Sequence, residues 1–212
     1  MTISNHKLMR LAGLSALLAG VCYVLVGVFH PPNVPASVTT DRWAIVHVIA
    51  CAMAFFALIG LTGLYLRQAA RTGLLGFVGY LLLNLWFVLI MGFSFVEAFV
   101  LPHVAHTAPA FVDAWMKMFN GPASDYDLGA LPTAWLLAAP LYILGGITFG
   151  IATFRAAILP RWAGALLAVG TLLAPLAAAV PNGTQPKIAI PVGIALAWLG
   201  YGLWIDRQEE TP

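Results

Sequence analysis

Six stretches of the chain are apolar almost throughout, at 9–30, 42–66, 73–101, 132–154, 159–180 and 188–205, and charged residues fall between them. At a rise of 1.5 Å per residue, each is long enough to cross a hydrocarbon core of ~30 Å. The pattern predicts an all-α, polytopic transmembrane helical bundle of about six helices, in one domain spanning 1–212. The third stretch is the longest and is expected to tilt or project beyond the lipid. The first follows Lys7 and Arg10, as the apolar part of a signal peptide does. It ends in His30-Pro31-Pro32 without a clear small-residue cleavage site, so it reads as a retained first helix.

A further helix is expected at 108–120, in the longest connection. Thr107 can cap it, Pro109 suits its first turn, and Gly121-Pro122 supplies a stop. Phe111, Val112, Trp115, Met118 and Phe119 share one face; Asp113, Lys117 and Asn120 share the other. That pattern predicts an amphipathic helix in the membrane interface with Trp115 as its anchor, either covering the bundle or acting as a lid.

Composition agrees with the pattern. Hydrophobic residues make up 61% of the chain and charged residues 8%, against roughly 25% charged in soluble domains. Too few charges exist to cover a water-facing surface, so the lipid bilayer is the expected solvent and partner. A formal charge of +2 with no basic run gives no reason to expect nucleic acid. Cys22 and Cys51 lie inside apolar stretches and read as small buried residues rather than a disulfide. Lys7, Arg10, Arg67, Arg71, Arg155, Arg161 and Arg207 fall on one side; only Arg42, Lys117 and Lys187 fall on the other. The positive-inside rule makes the first side cytoplasmic, with both termini there.

Ionisable residues inside a membrane are costly and are candidates for function. Helix 1 ends at His30, helix 2 starts near Arg42 and carries His47 a turn below the surface, and helix 3 carries Glu97 a turn before Pro102. His103 and His106 follow at once, so these residues share one depth in the outer leaflet. Gly13, Gly20 and Gly27 form a stripe that His30 continues, and Ala50, Ala54 and Ala57 line up with His47. His30, His47, Glu97 and His103 are thus candidate ligands for a transition metal, or two imidazoles for a haem. A small proton-coupled transporter using Glu97 is the alternative. So is a non-catalytic assembly or partner protein, or a homo-oligomer, with the helix 1 glycine stripe as its contact. The plain alternative is that the histidines sit at the interface and Glu97 pairs with Arg42. Whether the protein is an enzyme stays open: no HExxH, CxxC, Walker or GxSxG pattern is present. Asn84 is expected to bond a neighbouring helix, Pro140 and Pro175 to kink theirs, and Trp43, Trp135, Trp162 and Trp204 to form an aromatic belt.

The first helix ending in His30-Pro31, Phe95-Val96-Glu97-Ala98-Phe99-Val100-Leu101-Pro102, Leu159-Pro160-Arg161-Trp162-Ala163-Gly164 and Ala197-Trp198-Leu199-Gly200-Tyr201 together carry a resemblance. The chain resembles uncharacterised bacterial six-helix membrane proteins, distantly the DUF4386-type families common in actinobacteria. The resemblance implies a bacterial plasma (inner) membrane and a six-helix bundle. It implies no activity.

Overall fold

A computed structural model describes residues 4–120 and 124–206; of Asn120 and Ala178 it describes the backbone only. The expected stop at Gly121-Pro122, and the charges at Arg207, Glu209 and Glu210, lie outside the described residues. Among the described residues every regular element is helical. The α-helices are α1 (Asn5–Phe29), α2 (Asp41–Phe95), α3 (Leu101–Val104), α4 (Pro109–Asn120), α5 (Leu131–Ala156), α6 (Arg161–Leu172) and α7 (Ile190–Ile205). Four helical stretches among the described residues are long and apolar enough to cross a membrane: Asn5–Phe29, Asp41–Val104, Leu131–Ala156 and Asn182–Ile205. Thirty-four large hydrophobic side chains among the described residues stay exposed on the surface, including Leu74, Leu136 and Val169. Lipid can face such a surface at little cost, whereas exposing it to water would cost much free energy.

The second and third apolar stretches join in α2, which is not straight. Gly73 has φ 54° and ψ −150°, a backbone state open in practice only to glycine. The chain reverses there, and the limbs 41–72 and 74–95 lie antiparallel. Contacts nest outward from the bend: Tyr65 stacks on Tyr80, Thr62 meets the Tyr80 hydroxyl at 3.2 Å, Cys51 lies 4.0 Å from the Met91 carbonyl, and His47 faces Glu97.

Small residues set the remaining contacts. Gly13 and Gly20 of α1 meet the backbone of α7 at Gly200, Trp204, Gly193 and Ala197, while Gly193 and Gly200 return the contact. The glycine stripe expected as a possible contact with another molecule is therefore filled within the chain by α7. Gly60 and Gly63 of limb 41–72 fit Ala16 and Ala12 of α1; Gly79 of limb 74–95 fits Phe149 of α5; Gly146 and Gly150 of α5 fit Thr171, Gly164 and Ala168 of α6. With α6 also packed on α7, the segments close into a ring.

The fifth apolar stretch departs from expectation. Its α-helix stops at Leu172, and a 3-10 turn, Ala174–Ala179, replaces the rest. Pro175 lacks an N–H and its ring would press on the Thr171 carbonyl, so the α form cannot continue. A second 3-10 segment, Asn182–Ala189, leads into α7. Asn33 and Asn182 exchange bonds across the gap: the Asn33 N–H donates to Asn182 Oδ1 at 3.1 Å, and Asn182 Nδ2 donates to the Asn33 carbonyl at 3.4 Å. Asn84 donates to the Tyr80 carbonyl of its own helix instead of to a neighbour.

α4 also differs from expectation. Val112, Trp115 and Met116 are buried against Val38, Trp43, Phe93 and Leu101, so Trp115 packs into protein and is not a lipid anchor. The Thr107 hydroxyl bonds back to the Val104 carbonyl, and Ala108 supplies the first carbonyl of α4. Asp113 and Lys117 pair at 2.7 Å on the outer face, where such a pair contributes little.

A Cβ at Gly20 would overlap backbone atoms of Ala197 and Gly193, whereas Gly92 has nothing within 4 Å. Gly20→Ala should therefore cost about 1–3 kcal/mol in detergent, while Gly92→Ala should be neutral or gain up to ~1 kcal/mol. Equal melting temperatures for the two variants would refute the close α1–α7 contact.

Candidate functional site

The site begins with Pro102. In a regular helix its ring would press on the Ala98 carbonyl, and its missing N–H would leave an acceptor unpaired. The chain answers with a π turn, Val96–Val100, in which the Leu101 N–H reaches back to the Val96 carbonyl. That skips the Glu97 carbonyl, whose partner five residues on would be Pro102 itself. Trp43 fills the vacancy: its indole Nε1–H donates to the Glu97 carbonyl at 2.8 Å, and the ring is wholly buried. Trp43 is thus a structural donor and not part of an aromatic belt. π turns of this kind often occur at functional sites.

The same indole carries His47, whose ring lies 4.1 Å from it, centroid to centroid. His47 Nδ1 is 2.7 Å from the Trp43 carbonyl. A carbonyl only accepts, so Nδ1 carries the hydrogen and Nε2 is left facing Glu97. Nε2 stands 3.3 Å from Glu97 Oε2, longer than a well-formed charge-assisted bond, and this buried nitrogen has no satisfactory hydrogen-bond partner. The other carboxyl oxygen, Oε1, accepts from Trp115 Nε1–H at 3.3 Å. Glu97 thus ties together α4, the π turn and limb 41–72.

His30 stands at the edge of this group. Its Nδ1–H donates to the Pro31 carbonyl at 2.6 Å, and its ring meets His47 edge-to-face with centroids 5.0 Å apart. Arg42 does not reach Glu97; its Nε–H caps the end of α1 by donating to the Phe29 carbonyl at 2.8 Å. The structure therefore brings His30, His47 and Glu97 together. It does not bring in His103, which is exposed on α3 and lines no part of the cavity described below; His106 is exposed as well. Among the described residues no three His, Cys, Asp or Glu side chains converge closely enough to hold a metal ion. The edge contact between His30 and His47 also leaves no room for a macrocycle between them, which two axial imidazoles require.

What the group does line is a cavity of about 380 Å³. His30, His47 and Glu97 occupy one end, and Tyr23, Met53, Trp86, Ile90, Phe93 and Trp135 form most of the rest. A second compartment of about 260 Å³ shares Tyr23, Trp86, Ile90 and Trp135 and adds Ala138 and Tyr142. The Tyr23 hydroxyl donates to that of Tyr142 at 3.3 Å, and Trp86 packs on both rings. The 3-10 segments supply one wall through Ala177, Gln185 and Ala189. Tyr23, Trp86 and Tyr142 were not among the expected site residues. The signal for them is two phenol hydroxyls far inside apolar helices, where each must find a partner.

Chemically, His47 Nε2 can accept a hydrogen bond from a group in the cavity, and the Glu97 carboxyl group can accept one or, when protonated, donate one. Comparison with protein-family models, curated proteins and solved structures finds no match to this chain.

Trp43→Phe would remove the indole N–H, leaving the Glu97 carbonyl buried without a donor and a small cavity beside it. It should cost about 1–3 kcal/mol, read as a lower melting temperature in detergent. A variant as stable as the parent would show that the carbonyl does not depend on Trp43.

Proposed function

We propose that the protein crosses a bacterial plasma membrane six times, with both termini in the cytoplasm, and that its cavity binds a small, largely apolar molecule by one polar end at His47 and Glu97. For the six crossings, support comes from the bend at Gly73, which divides the longest apolar helix into two antiparallel limbs, and from α6 with its 3-10 continuation. The distribution of Lys and Arg supports the orientation. The resemblance to bacterial six-helix membrane proteins supports the compartment.

One observation carries the binding reading. An aromatic-walled cavity of a size suited to small ligands contains a buried, unpartnered His47 Nε2 beside a carboxyl group. A buried polar atom without a partner costs free energy, and a ligand hydroxyl that donates to Nε2 would recover it. Apolar walls with a few convergent polar atoms are the usual form of a small-molecule site. A metal centre is less well supported, because it needs a third donor that His103 does not supply. A proton-coupled carrier remains a second reading, favoured by the buried Glu97 carboxyl group facing His47 Nε2 in the cavity; it uses the same site.

Two measurements test this. In a background lacking Cys22 and Cys51, Ala110→Cys should react with a membrane-impermeant maleimide in intact cells, and Ala70→Cys only after permeabilisation. The reverse pattern would invert the orientation. For the cavity, durenol, a methylated phenol, should bind protein in nanodiscs above the level of empty nanodiscs in equilibrium dialysis. Ala50→Leu, which fills the cavity beside His47, should weaken that binding by about tenfold. Durenol uptake no greater than in empty discs, or unchanged by Ala50→Leu, would refute the binding site.

A further inference from the structure

The cavity does not end at His47 and Glu97. Past Trp86 it continues to a second polar station, the Tyr23–Tyr142 hydroxyl pair, in the smaller compartment. Between two phenol hydroxyls 3.3 Å apart only one hydrogen is used: Tyr23 donates and Tyr142 accepts. The Tyr142 hydrogen has no acceptor among the described residues, although the side chain is buried. One end of the cavity therefore offers a ring nitrogen acceptor beside a carboxyl group, and the other a free O–H donor. The wall between them is the flat face of Trp86, which lies nearly parallel to Tyr23 with centroids 6.1 Å apart.

The spacing follows from α1. Tyr23, which donates to Tyr142, and His30, which packs on His47, are seven residues apart, two turns or about 10 Å along the α1 axis. Two hydrogen bonds of about 2.8 Å each, with one six-membered ring between them, fill a gap of that order.

We propose, building on the cavity as a ligand site, that its ligand is a ring with oxygen functions at opposite ends, of the quinone or hydroquinone class. One oxygen meets His47 and Glu97, the other takes the Tyr142 O–H, and the ring lies against Trp86. This end suits either member of the class, since His47 Nε2 accepts from a hydroxyl and the Glu97 carboxyl group, when protonated, donates to a carbonyl. A purely apolar ligand would leave the Tyr142 donor and the His47–Glu97 end unmet, and a ligand with one oxygen would leave one of the two ends so.

Three flat, tetramethylated six-membered rings of similar shape separate these cases: durene with no oxygen, durenol with one and duroquinone with two. The methyl groups of duroquinone also block addition of the free thiols of Cys22 and Cys51 to its ring. In dialysis against protein nanodiscs, corrected for empty discs, duroquinone should bind about tenfold tighter than durenol, and durenol tighter than durene. Tyr142→Phe should bring duroquinone down to the durenol level while leaving durenol unchanged. Ala138→Leu, which fills the smaller compartment without removing a hydroxyl, should exclude duroquinone and spare durenol; it serves if Tyr142→Phe fails to fold. Equal binding of duroquinone and durenol to the parent protein, or a duroquinone preference that survives both variants, would overturn the two-ended ligand and leave the cavity reading intact. Failure of both durenol and duroquinone to bind would overturn the cavity reading itself.

Discussion

Backbone contact between α1 and α7 is the constraint on which the arrangement rests. In lipid, apolar side chains gain little by leaving their surroundings, so helices associate through close packing rather than through hydrophobic burial. Gly13 and Gly20 on one helix and Gly193 and Gly200 on the other each recur at seven residues, so the two backbones touch at matching heights. That contact joins the first segment to the last. Without it, the helices would form an open row and the cavity would lose the wall that α1 contributes through Tyr23, Val26 and Gly27.

Within the ring, polar groups follow a chain of obligation that starts from one proline. Pro102 forces the π turn, the π turn exposes the Glu97 carbonyl, and Trp43 must answer it. The Trp43 carbonyl in turn fixes the His47 ring and its tautomer. Each link satisfies a group that hydrocarbon would otherwise leave unpaired, until the last one. His47 Nε2 is where the chain of partners ends, and it ends inside a cavity.

Much of this was legible in the sequence. Helix direction alone placed His30, His47 and Glu97 at one height, and the small residues Ala50, Ala54 and Ala57 indicated which way His47 faces; all three are buried. His103 was grouped with them because it follows Pro102 at the same depth, but depth does not give side-chain direction, and on α3 it is exposed. Trp43 was assigned to the membrane boundary from its position near a helix end, and Trp115 from the apolar face of the amphipathic helix expected at 108–120. Position cannot tell whether an indole N–H meets a headgroup or a buried oxygen, and here both meet Glu97. The Tyr23–Tyr142 pair joins residues 119 apart in the chain, and no local pattern encodes such a meeting.

The single-residue bend at Gly73 has a consequence for tolerance to change. The two limbs of α2 are joined by one non-helical residue, so neither can slide or turn without the other. The alignment of His47 with Glu97 is therefore set like a vernier, from the opposite end of the molecule. One extra residue on either limb would rotate everything beyond it by about 100° and raise it about 1.5 Å. The bend is far from every atom of the cavity, yet it fixes the register at which the imidazole and the carboxyl group meet.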